Sequence, residues 1–128
     1  IPMDEEEDLG ERKWGIFEGK KRPEVLAYLQ GIPEIVTAYP NLADLRDLSP
    51  IIDAPEFKVE GSESMAEVTA RVTPVLTSLR ERYPGENILV VVHAGVIISQ
   101  GMDHRVVNEV GIVKADDEIS LIKCPAFL

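Results

Sequence analysis

The chain has 128 residues, enough for one domain around one core. Apolar residues make up 45% and charged residues 28%, which argues against a disordered or fibrous chain. A net charge of −10 repels a phosphate backbone, and no apolar run approaches the roughly 20 residues that cross a bilayer, so neither nucleic acid nor membrane is an expected partner.

An anionic small molecule remains compatible with that charge, because a local Arg and His cluster overrides the global sign. The single cysteine, Cys124, excludes an internal disulfide. It fits a reducing compartment, and a cytoplasmic location is expected. The chain begins with Ile1, so a natural start is expected upstream.

In chain order, Asp4-Glu5-Glu6-Glu7-Asp8 reads as a solvated acidic leader over 1–8, ahead of a single domain. Leu9 to Gly19 holds mixed polarity and three glycines, which suits an ordered loop. Pro23, Val25, Leu26 and Leu29 followed by Gly31 predict a short helix. Pro33 to Tyr39 and Asn41 to Leu48 read as two more helical pieces, punctuated by Pro40 and Pro50.

Ser64-Met65-Ala66-Glu67 is a capping-box pattern. Met65, Val68, Val72, Val75, Leu76, Leu79 and Tyr83 then share one helical stripe, predicting a long helix from Ser64 to Tyr83. Pro74 should kink it or remove one backbone bond. Ile88 to Val92 is apolar at every position and rich in β-branched residues. That predicts a strand covered on both faces, as in a parallel α/β sheet. Val96, Ile97, Ile98 and Met102 suggest a further helix, and Glu118 to Lys123 a last strand.

Three segments carry residues suited to chemistry. His93 follows the strand directly, with Ala94 and Gly95 after it. In open α/β sheets ligands bind beyond the carboxyl ends of strands, and free N–H groups of a following helix favour an anion. A lone His there is also a common cap or core residue. Glu11 lies in the glycine-bearing loop, where a carboxyl group can act as a general acid. Otherwise it is one acid of many. Gly61-Ser62-Glu63-Ser64 with Arg71 is a helix start, and Ser62 or Glu63 could face a crevice.

Together these segments resemble the histidine-phosphatase (phosphoglycerate-mutase-like) superfamily. Leu9 to Gly19 is similar to its L-x-E-x-x-x-G-x-x-E-G segment. Gly61-Ser62-Glu63-Ser64…Arg71 is similar to its G-G-E-S…R helix start, with Ser62 at the second glycine. Val90 to Gly95 is similar to its strand ending in H-G, with Ala94 inserted. The resemblance implies an α/β fold with a mostly parallel sheet flanked by helices. It also implies that 1–128 is a partial domain whose N-terminal part is missing.

The implied reaction runs through a phosphohistidine. The resemblance makes His93 the second histidine, binding phosphoryl oxygens, and Glu11 the proton donor. It places Arg12, Arg22, Ser62, Glu63 and the Ala94 backbone at the substrate. No metal or cofactor is implied.

No R-H-G occurs in these 128 residues, and the family's other pocket arginine is also absent. The remaining histidine, His104, has no strand before it and reads as a surface residue. The nucleophile is therefore expected from an upstream segment, a second chain or a swapped copy. Without the family's central first strand, apolar surface beside Ile88 to Val92 should be exposed.

The short interval between Glu11 and Glu63 favours a phosphomonoester hydrolase. Phosphoglycerate mutase is the alternative, for which Glu11-Arg12 with Trp14 speaks. A non-catalytic scaffold on the same fold is a third reading, and an unrelated flavodoxin-like binding domain a fourth.

Overall fold

The computed structural model describes residues 3–101, 112–114 and 119–123. The expectations for Met102, His104, Glu118 and Cys124 fall outside these residues. The chain divides into two compact units: residues 13–64, and residues 1–12 together with 65–128.

The 13–64 unit is built from short helices: α1 (Arg22–Gln30), α2 (Pro33–Ala38) and α3 (Ser49–Ile52), with 3₁₀ turns at Gly15–Phe17 and Leu42–Asp44. Prolines sit in the first turn of each α-helix, where a missing N–H costs nothing. The Lys21 N–H donates to the Glu24 carboxylate at 2.9 Å and helps start α1.

The expected helix over Asn41 to Leu48 is only the 3₁₀ turn, and Pro50 lies inside α3. Phe17, Leu29, Leu42, Leu48, Ile51 and Val59 form this unit's core. Phe17 meets Tyr28 edge-on at 5.2 Å and stacks with Phe57 at 6.2 Å.

One junction closes the unit. Trp14 and Ser62 form an antiparallel bridge, and Ile16 N–H donates to the Glu60 carbonyl at 3.0 Å. Gly15 sits at φ +56°, and a Cβ there would meet the Glu60 carbonyl oxygen at 2.1 Å. Only glycine lets the two segments approach this closely.

The other unit carries α4 (Met65–Arg82), β1 (Ile88–Val92), α5 (Ala94–Ser99), β2 (Ile112–Lys114) and β3 (Ile119–Lys123). The long helix matches its expected span within a residue at each end. Pro74 lies inside it on the exposed side, so the helix loses a backbone bond without ending. Met65, Val68, Val72 and Leu76 of α4 pack with Val90, Val92, Val96 and Ile97. The Thr69 hydroxyl lies 3.0 Å from the carbonyls of both Met65 and Ser99, tying α4 to the end of α5.

Where a mostly parallel sheet is expected, the described strands run β1-β3-β2, with β1 and β3 parallel and β2 and β3 antiparallel. β1 is covered on one face only. Val90 and Val92 are buried, whereas Leu89 is 63% exposed and Val91 58%. Among the described residues, α4 and α5 contribute to a core on one face, and the other is the apolar surface expected to be exposed beside Ile88 to Val92. No helix among the described residues is long and apolar enough to cross a membrane.

The acid run is also not wholly a free leader. Asp4 to Asp8 are exposed, but Glu7–Leu9 form a 3₁₀ turn that rests on α4, and Leu9 packs against the core.

These burials predict a contrast. Leu76→Ala should cost about 2–5 kcal/mol in urea unfolding, because Leu76 is 2% exposed. Val91→Thr should change stability by no more than about 0.5 kcal/mol.

Candidate functional site

The site stands at the carboxyl end of β1. The chain leaves the strand at Val92, and His93 is the N-cap of α5, with extended backbone at φ −82° and ψ 166°. Its carbonyl accepts from the Val96 N–H at 3.2 Å. The imidazole is therefore carried on a fixed backbone corner, and its side chain is 46% exposed.

Glu11 approaches the same corner from far away in sequence. Its Oε1 accepts from the Gly95 N–H at 3.1 Å and from the Arg12 N–H at 2.8 Å. Its Oε2 lies 3.9 Å from His93 Nδ1, with the Glu11 side chain 34% exposed. One carboxylate oxygen is thus held by two amides, and the other faces the histidine and solvent. Two amide bonds to one oxygen leave the carboxyl group little freedom to rotate.

The neighbours fix that approach. A Cβ on Gly95 would meet Glu11 Oε1 at 2.3 Å and Arg12 Cβ at 3.1 Å. A glycine two residues past the histidine is required for the carboxylate to reach the amide. Arg71, on α4, donates from Nη1 to the Asp8 carbonyl at 2.6 Å and from Nη2 to the Glu11 carbonyl at 3.1 Å.

Of the residues expected in the site, Glu11, Arg12, His93 and Ala94 lie together in this unit. Arg12 is only 2% exposed. As folded, that side chain offers almost no accessible surface. The Arg12 backbone N–H meets the Glu11 carboxylate. The α5 amide that meets a carboxylate is that of Gly95 rather than Ala94.

Arg22, Ser62 and Glu63 belong to the 13–64 unit and are engaged within it. Arg22 is exposed at the start of α1 and donates to the Leu45 carbonyl. It lines a cavity of about 250 Å³ together with Val25, Arg46, Asp47, Leu48, Ser49 and Ile52.

Ser62 is 7% exposed. Its hydroxyl donates to the Val59 carbonyl and accepts from the Val59 N–H, both at 2.9 Å. As folded, the Ser62 hydroxyl serves the 59–62 turn. Glu63 is half-buried, and its carboxylate accepts from the Lys13 N–H at 2.9 Å.

Two contributors escaped the sequence reading. Gly95 was visible only as a small residue, and Arg71 only as the end of a helix-start motif. The spacing from His93 to Gly95 is a local signal for the first. The pairing of Arg71 with the Glu11 carbonyl spans 60 residues and has no local signal.

The Gly95 geometry predicts a coupled effect. Gly95→Ala should destabilise the chain by about 1–3 kcal/mol through overpacking. In a Glu11→Ala background the same change should cost markedly less, since the nearest obstructing atom is gone. A double-mutant cycle by urea unfolding measures this coupling.

Comparison with known proteins bears on this geometry. The family model described as histidine phosphatase superfamily (branch 1) matches residues 1–100. No curated protein and no solved structure matches the chain. The matched stretch holds Glu11, Arg12, Arg71, His93, Ala94 and Gly95. Membership supports chemistry of the phosphatase or mutase type in general and an α/β fold. Over 100 of its 128 residues, the chain belongs to the histidine phosphatase superfamily (branch 1).

Proposed function

We propose that this chain carries the acid and the second histidine of a phosphomonoester hydrolase that works through a phosphohistidine. In this proposal the nucleophilic histidine comes from a segment absent from these residues. The observation that carries the reading is the Glu11–His93 pair at the end of β1: Oε1 is tethered to two amides and Oε2 is 3.9 Å from Nδ1. The reading is supported by that tether, which leaves Oε2 turned toward the histidine and solvent.

The steps follow from those positions. The incoming histidine nitrogen attacks phosphorus while the ester P–O bond breaks. The proton on Glu11 Oε2 passes to the departing oxygen. A ring N–H of His93 donates to the phosphoryl oxygens, where charge is greatest. Glu11, now a carboxylate, takes a proton from water as the water oxygen attacks phosphorus. The phosphohistidine bond breaks and phosphate leaves.

The exposed Leu89 and Val91 support the need for more chain beside β1, because a strand apolar on both faces suits cover on both. That segment would come from the same polypeptide, a second chain or another copy. The absence of R-H-G from these 128 residues favours a second reading, a non-catalytic scaffold on the same fold. We place the activity in the cytoplasm with a phosphorylated small molecule as substrate. For Glu63 and Arg22 we propose roles at the substrate rather than in the chemistry.

The test uses the full-length protein with glycerol phosphate and, separately, 3-phosphoglycerate. Phosphate release is expected, with Glu11→Gln and His93→Ala each lowering kcat/KM by about 10²–10⁴-fold while the far-ultraviolet spectrum is unchanged. Transfer of the phosphoryl group between hydroxyls of 3-phosphoglycerate would favour a mutase. No turnover by the full-length protein would favour the scaffold. Turnover by the 128-residue chain alone would overturn the claim that another segment is required.

A further inference from the structure

Glu11 is held at two levels. Its carboxylate is tethered by the Arg12 and Gly95 amides. Its backbone is held by Arg71, whose two terminal nitrogens donate to the carbonyls of Asp8 and Glu11. Those carbonyls bracket Leu9 and Gly10, so one planar fork spans the stretch of chain that delivers Glu11.

The helix beneath Arg71 is anchored in the core of its unit. Val68 and Val72, on either side of it, are fully buried in the core. The other anchors of the leading segment are weaker or farther off. Leu9 packs on the core without direction. Glu6 pairs with Arg82 at 3.5 Å, but both side chains are well exposed, where such pairs contribute little. Leu9 and Gly10 donate to Glu6 and Glu7, which fixes the local turn and not its seat on α4. The two bonds of Arg71 join the backbone of Asp8 and Glu11 to the long helix.

We propose that Arg71 is the positioning residue for Glu11, setting where the carboxylate stands against Gly95 and His93. This rests on the proposed role of Glu11 for its consequence in catalysis, but not for the geometry itself. A guanidinium suits the task because its donors diverge in a fixed plane and reach two carbonyls at once. A lysine ammonium offers a point charge on a flexible stem and reproduces that fork only in part.

The test has two arms. In the 128-residue chain, the amide proton shifts of Arg12 and Gly95 are compared between wild type and Glu11→Gln, which defines the signature of the tether. Arg71→Met should move both amides most of the way to the Glu11→Gln positions. Arg71→Lys should move them part of the way with the fold intact, which keeps the test decisive where Arg71→Met does not fold. Leu76→Ala, which weakens the same core without touching the fork, should leave them in place. Wild-type shifts at both amides in the Arg71 variants would overturn the proposal.

In the full-length protein, Arg71→Met should lower kcat about 10- to 100-fold with little change in KM, as displacement of a catalytic group does. Added to Glu11→Gln it should cost nothing more, because it acts through Glu11. An equal further loss in the double variant would also overturn the proposal. Should the full-length protein hydrolyse no phosphate ester, the function fails while the amide shifts still decide the role of Arg71.

Discussion

The bond from the Gly95 amide to the Glu11 carboxylate is the constraint on which the site depends. It joins residues 84 apart in sequence and brings a loop acid to the corner where β1 becomes α5. Three features exist in register with it: a histidine at the N-cap, a glycine two residues on, and a loop whose backbone is held to α4. A bond to a charged acceptor contributes about 1.5–3 kcal/mol, so the arrangement is held by the fold around it more than by its own strength.

That fold gets its strength elsewhere. Val68, Val72, Leu76, Val92, Val96 and Ile97 are at most 2% exposed and supply the apolar burial behind the corner. Each fully buried side chain of this kind contributes about 1.5–3 kcal/mol. The surface ion pairs, such as Arg82 with Glu6 and Lys20 with Glu24, lie in solvent and add little. The site is a polar cluster at the margin of an apolar core, with one carboxylate oxygen inside the hydrogen-bond network and one outside it.

The sequence disclosed what depends on local pattern. The stripe from Met65 to Leu79 marked α4, the run Ile88 to Val92 marked β1, and the succession of three short motifs marked the family. It did not disclose what depends on distant partners. Val90 and Val92 read like Leu89 and Val91, yet only the first pair is buried, because the face on which α4 and α5 pack decides cover, and the strand's own pattern does not reveal it. Ser62 read as a group that could face a crevice, yet it is buried and its hydroxyl bonds the 59–62 turn, and the burial of Arg12 has no local signal. Gly15 looked like loop punctuation, and its need arises from a backbone segment at Glu60. Arg71 looked like a helix charge until the carbonyls of Asp8 and Glu11 came within its reach.

The central claim is that Glu11, so placed, gives its proton to the leaving oxygen. A series of phosphate monoesters with leaving groups of increasing basicity tests it directly, using the full-length protein and its Glu11→Gln variant. A nitrophenolate leaves without help, whereas an alkoxide needs the proton. The ratio of wild-type to variant kcat/KM should therefore grow from a few-fold for nitrophenyl phosphate to about 10³-fold for an alkyl phosphate. The same ratio across the whole series would contradict the account.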